Sequence, residues 1–196
     1  SLYQTRRTMP DPIDPQLIEF PNISLSGTVD QNMYVYFKGR LGQLPQSGTC
    51  TIELSTLGGD PEVARMMGED VRFHSDLHPE RRIVFIGKAA VYSAGATFMS
   101  FFAVPNRFLA RGTRLMIHER LINKTVHLEG PLSTCLAPLR AAINEIEASI
   151  SIQNEGFANL VLGSSITLEE LQGKVSENWY LEAQEAKALG LVADII

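Results

Sequence analysis

Three short stretches of this chain hold groups that acyl transfer would need: Gly58-Gly59 in TIELSTLGG, Ser93 in GKAAVYSAGA and His118 in RLMIHE. Such chemistry requires a nucleophile, a base to take its proton, and donors for the oxyanion that forms on the attacked carbonyl. A serine hydroxyl is a weak nucleophile until a base relieves it of its proton, and histidine titrates in the range that suits the task near neutral pH. Glycine contributes through its backbone: without a Cβ the chain can turn sharply and aim a bare N–H at developing charge. Taken singly, each group has a plainer reading. Ser93 at the start of a helix can be an N-cap, Gly58-Gly59 a turn, and His118 a satisfied histidine at a strand end. The case for chemistry is their joint occurrence, each at the end of a different strand-like segment.

Those segments alternate with helical ones. ISLSGTV (residues 23–29) reads as a strand, and Asp30 is placed to cap QNMYVYFKGRLGQL, whose Met33, Phe37, Leu41 and Leu44 recur at helical spacing. A strand follows in TCTIELSTL, then a helix from Pro61 to about His74 with Val63, Met66, Met67 and Val71 on one face. RRIVFIGKAAV is the third strand, its unbroken apolar run suiting burial on both faces, and another helix begins near Ser93. RLMIHERL is strand-like, and KTVHLEG suggests a short extended excursion. Leu139, Ile143, Ile146, Ile150, Phe157, Leu160 and Val161 then mark the longest helix, with Gly163 as its stop. Thr167-Leu-Glu-Glu170 carries a capping-box pattern, EAQEAKALG predicts a last helix ended by Gly190, and LVADII is strand-like. This alternation predicts an α/β architecture with a largely parallel sheet, whose active groups collect at strand C-termini and helix N-termini.

Composition narrows the alternatives. The chain has 196 residues, 44% hydrophobic and 20% charged, which suits a single globular domain at residues 16–196 behind a flexible polar arm at residues 1–15. A formal charge of -5 without a basic run argues against nucleic acid or anionic membrane as the main partner. The arm carries no apolar stretch of signal-peptide length, and Cys50 and Cys135 are too few for a disulfide scaffold, so the expected compartment is the cytoplasm. His74, His78 and His127 form no metal-ligand spacing with the cysteines, and neither metal nor cofactor is expected. Position 91 is Val, so the G-x-S-x-G elbow of α/β-hydrolases is absent.

With these residues in place, the chain resembles the proteolytic subunit of the Clp proteases, the ClpP family of the ClpP/crotonase superfamily. The resemblance rests on TIELSTLGG, GKAAVYSAGA, RLMIHE and WYLEAQEAKALGLVADII, and on the 25 residues separating Ser93 from His118. It implies a ClpP/crotonase-like α/β fold of repeated strand and helix units, with a projecting handle at about residues 121–163. It also implies Ser93 as nucleophile, His118 as general base, and the amides of Gly59 and Ala94 as the oxyanion hole. Asn178 falls where the family usually has aspartate. It could orient the histidine without supplying a negative charge, or Glu177 could take that place after a local shift. KTVHLEGPLSTCLAPL departs from the family as an insertion before the handle helix.

The activity so implied is that of a serine endopeptidase, acting on polypeptides through an acyl-enzyme inside an oligomeric chamber. By resemblance that chamber is a homo-oligomeric heptameric ring or double ring. No Walker sequence is present, so unfolding folded substrates would fall to a separate AAA+ unfoldase. Two other readings stand beside it: a weak or inactive ring subunit with a scaffolding role, suggested by Asn178, and a crotonase-like acyl-CoA enzyme, which would share the oxyanion hole but leave the Ser93 and His118 spacing unexplained.

Overall fold

The apolar run Ile83-Val84-Phe85-Ile86 lies at the centre of the molecule, with each residue no more than 3% exposed. It belongs to β3 (Arg81–Tyr92). The structure, a computed structural model, describes residues 10–196. On one side β3 pairs in parallel with β2 (Gly48–Thr56), and β2 in turn with β1 (Ile23–Ser26). On the other side β3 changes partner along its length. Phe85 to Gly87 pair with β4 (Arg107–Leu109), whereas Ala90 to Tyr92 pair with β5 (Arg114–Ile117). The sheet therefore branches: β4 continues to β7 (Asp194–Ile195), and β5 continues to the antiparallel β6 (Trp179–Glu182). Among the described residues only the β5–β6 pair departs from the parallel arrangement expected of strand and helix alternation.

The connecting helices follow local sequence signals. A short α1 (Pro15–Glu19) precedes β1. Asp30 caps α2 (Gln31–Leu41), its Oδ1 accepting from Met33 N at 2.9 Å, and Met33, Phe37 and Leu41 are buried as their spacing predicts. Asp60 caps α3 (Pro61–Leu77), which buries Val63, Met67 and Val71, while Met66, expected on the same face, is 40% exposed. Ser93 precedes the short α4 (Ala94–Met99). Thr167 and Glu170 close the anticipated capping box on α6 (Leu168–Val175), and Gly190, at φ +78°, ends α7 (Ala183–Leu189).

The longest helix, α5, runs from Leu136 to Val161, starting one turn earlier than its apolar pattern suggests because Pro138 is tolerated in a first turn. Its stripe divides in two. Phe157, Leu160 and Val161 are buried against the body, whereas Leu139, Ile143, Ile146 and Ile150 are 40–53% exposed, so the N-terminal part stands clear of the core. KTVHLEG forms no strand; that segment is largely exposed and has no strand partner among the described residues.

Three features had no forecast: α1, β4 and β6. In β4, Arg107 is 2% exposed and donates to the carbonyls of Ser100, Phe102, Asn159, Leu160 and Leu191, which ties the C-terminal ends of α4 and α5 to the last turn before β7. Burial pushes its guanidinium down to about 10, still charged at neutral pH, and the five carbonyls supply the compensating polar contacts. Most of the expected N-terminal arm lies outside the described residues; within it, Ile13 packs on Val84, Ile86 and Phe108.

Candidate active site

The nucleophile corner is built by backbone. Where β3 ends, Ser93 adopts φ +54° and ψ -109°, a conformation that costs a non-glycine residue on the order of 1–3 kcal/mol. Its N–H donates to Met116 O at 2.7 Å, which fixes the corner against the neighbouring strand β5. Ser93 occupies the N-cap position of α4 yet makes no side-chain cap bond. Its Oγ instead lies 2.7 Å from Nε2 of His118, the residue that follows β5. A hydroxyl withheld from capping and brought to a histidine nitrogen is the arrangement in which an imidazole can take a serine proton.

The glycine pair closes the same corner from β2. Gly58 and Gly59 stand at φ +123° and +148°, and a Cβ on Gly59 would lie 2.3 Å from Val29 O. No side chain fits there. Val29 N donates to Gly58 O at 3.0 Å and Asp60 N donates to Val29 O at 2.8 Å, so this isolated parallel bridge turns the Gly59 N–H to the opposite side. Ala94 opens α4, where first-turn amides lack intrahelical acceptors. Among the described residues neither the Gly59 nor the Ala94 amide has a protein acceptor. Both line the cleft that holds Ser93 and His118.

The other face of His118 is different. β5 and β6 pair as far as Ile117 opposite Trp179, so His118 and Asn178 are the residues just beyond the paired ends of the two strands. Asn178 has φ +58° and is exposed, as is Glu177. Among the described residues neither side chain hydrogen-bonds to His118. The fold thus gathers Ser93, His118, Gly59 and Ala94 into one cleft, whereas Asn178, just before β6, is not among the residues lining it and makes no hydrogen bond to the imidazole.

The cleft encloses about 460 Å³. One wall is α3, α4 and the turn after α4, with Pro61, Arg65, Thr97 and Phe101, and the opposite wall is α5, with Ile150, Gln153, Phe157 and Leu160. Phe101 is held at this wall by Gly68, whose place a Cβ could not take without coming within 2.1 Å of the ring. The sequence reading missed these walls. Their residues come from segments far apart in the chain, and their apolar members look like ordinary core positions on their own helices. The one available signal was the exposed stretch HERLIN, in which charged and large apolar residues follow the histidine directly. Among the described residues no cluster of three His, Cys, Asp or Glu is placed to hold a metal, and no helix is long and apolar enough to cross a membrane.

The architecture is ClpP-like: a mixed α/β fold with a mostly parallel sheet and one long helix. Its solved counterparts include a point mutant of ClpP1 from Listeria monocytogenes, which superposes with a TM-score of 0.70 at 20% identity, covering 93% of this chain and 94% of that one. No protein-family model matches the sequence, and no curated protein matches it.

Proposed function

We propose that this chain is a serine peptidase of Clp type, with Ser93 as nucleophile, His118 as general base, and the amides of Gly59 and Ala94 as the oxyanion hole. The observation that carries the reading is the 2.7 Å contact between Ser93 Oγ and His118 Nε2 in a cleft that also presents two unpaired backbone donors. Ser93 Oγ attacks the carbonyl carbon of a peptide bond as its proton passes to His118 Nε2. The carbonyl oxygen becomes an oxyanion that accepts from the two amides. Collapse of this intermediate breaks the C–N bond, and His118 delivers the proton to the departing amine, leaving an ester on Ser93. Water, deprotonated by His118, attacks that ester; the acid leaves and Ser93 recovers its proton.

The ClpP-like fold supports an oligomeric peptidase, and with it a chamber fed by a separate AAA+ unfoldase in the cytoplasm. A fluorophosphonate probe should label the assembled protein at Ser93, located by peptide mass mapping. Absence of labelling in an assembled oligomer would overturn the reading.

A second reading, a ring subunit of low activity with a scaffolding role, is favoured by one observation: His118 has no hydrogen bond to Asn178 or Glu177. An imidazole without an acceptor on its far nitrogen is less well oriented, and its protonated form is less well stabilised. Robust cleavage of small fluorogenic peptides by the purified chain would remove this reading.

A further inference from the structure

Two residues past His118, Arg120 reaches both walls of the cleft. Its backbone N–H donates to Gln153 Oε1 on α5 at 2.5 Å, and its Nη1 lies 2.5 Å from Glu62 Oε1 on α3. Glu62 stands in the first turn of α3, three residues beyond Gly59, and its other oxygen takes Arg65 Nη1 at 2.5 Å. Burial favours the neutral form of the Glu62 carboxyl, but hydrogen bonds from Arg120 and Arg65 hold it below the usual range, so it remains an anion at neutral pH. The Arg120 side chain is 21% exposed and that of Glu62 51%, so attraction is screened and the contribution of this pair to overall stability is small. Its placement matters more than its strength. One side of the link is the segment that carries the base, and the other is the turn that carries an oxyanion donor.

We infer that Arg120, held by Glu62 and Gln153, is a positioning residue that sets the His118 segment against the Gly59 turn. The need for it follows from the free far face of the imidazole. Where no side chain restrains the ring from behind, its position relative to Ser93 depends on the backbone that carries it. That backbone is pinned on one side by the β5 ladder and on the other by Arg120. Small displacements of a base from its nucleophile reduce rate steeply, whereas the apolar walls formed by Ile150, Phe157, Leu160 and Phe101 are left in place. The link therefore affects the chemical step more than binding.

The inference rests on the proposed peptidase reading, and the test separates the two. The assembled parent protein is compared with Arg120→Met, Arg120→Lys, Glu62→Gln and the double variant Arg120→Met/Glu62→Gln. Readouts are the second-order rate of fluorophosphonate labelling at Ser93 and kcat and KM for a fluorogenic peptide. Arg120→Met and Glu62→Gln are each expected to slow labelling and kcat on the order of tenfold, with KM within about twofold. The double variant is expected to be no slower than Arg120→Met, because both changes remove one link, and Arg120→Lys to regain most of the rate. Gln153→Leu, which removes the acceptor for Arg120 N–H, should slow labelling in the same sense. Parent-like rates in Arg120→Met, or additive losses in the double variant, would overturn the inference while leaving the peptidase reading intact. A parent that neither labels nor cleaves overturns both.

Discussion

His118 has two dissimilar sides. Toward Ser93, the contact is short, the neighbouring backbone is fixed by bonds from Val29 and Ser93, and a glycine stands where nothing larger fits. Toward Asn178, an exposed residue just before β6, no hydrogen bond holds the imidazole. The side that would form bonds with substrate is thus built from main chain and allows little variation. The side that would tune the base is built from a surface side chain and allows a great deal.

The largest effect should come from the first side. Ser93→Ala is expected to abolish fluorophosphonate labelling and to lower peptide cleavage by more than about a thousandfold with the oligomer intact, measured by mass mapping and initial rates. Labelling that persists at another residue would mean that the short contact is not the reactive one. Gly59→Ala comes next. Its methyl group would collide with Val29 O, and the shift of the turn that moves the N–H off the oxyanion should cost up to about 10²–10³ in kcat. The strained φ should lower thermal stability as well, read from the melting curve. Near-normal turnover in this variant would show that the Gly59 amide is not an oxyanion donor.

Changes on the second side should be small. Asn178→Asp places a carboxylate beside the imidazolium at an exposed position, where attraction across about 4 Å of water is worth roughly 1 kcal/mol, so kcat should rise about fivefold. A much larger rise would mean that this turn closes on His118 during reaction and excludes water. Glu177→Gln, the smallest change, should leave kcat within about twofold; a tenfold loss would move the orienting role to Glu177 and break the contrast between the two sides.

Legibility in the sequence follows a similar division. The Gly58-Gly59 turn, the Ser93 corner and the RLMIH strand were readable because each is contiguous and ends a strand with its own periodicity. Asn178 was assigned by resemblance alone, and whether it bonds the histidine depends on side-chain direction at a turn, which spacing does not encode. β4 was missed because its three residues open with arginine, which reads as surface until five carbonyls from distant segments are seen to surround it. β6 was missed because WYLE runs directly into the helix EAQEAKAL. The Arg120 link was hidden for another reason: its partners lie 58 and 33 residues away, and glutamate and glutamine on helix surfaces usually do nothing more than face water.

Two of the four groups proposed to act in the cleft, Gly59 and Ala94, contribute only a main-chain N–H. Any residue but proline at position 94 carries the same amide, and position 59 tolerates only the residue with no side chain. The polarity of this corner is accordingly a property of the path of the chain rather than of its lettering. At 20% identity this chain shares the fold of a solved counterpart, and the polarity of its own corner depends on the strand ends and the turn at Val29 keeping their course.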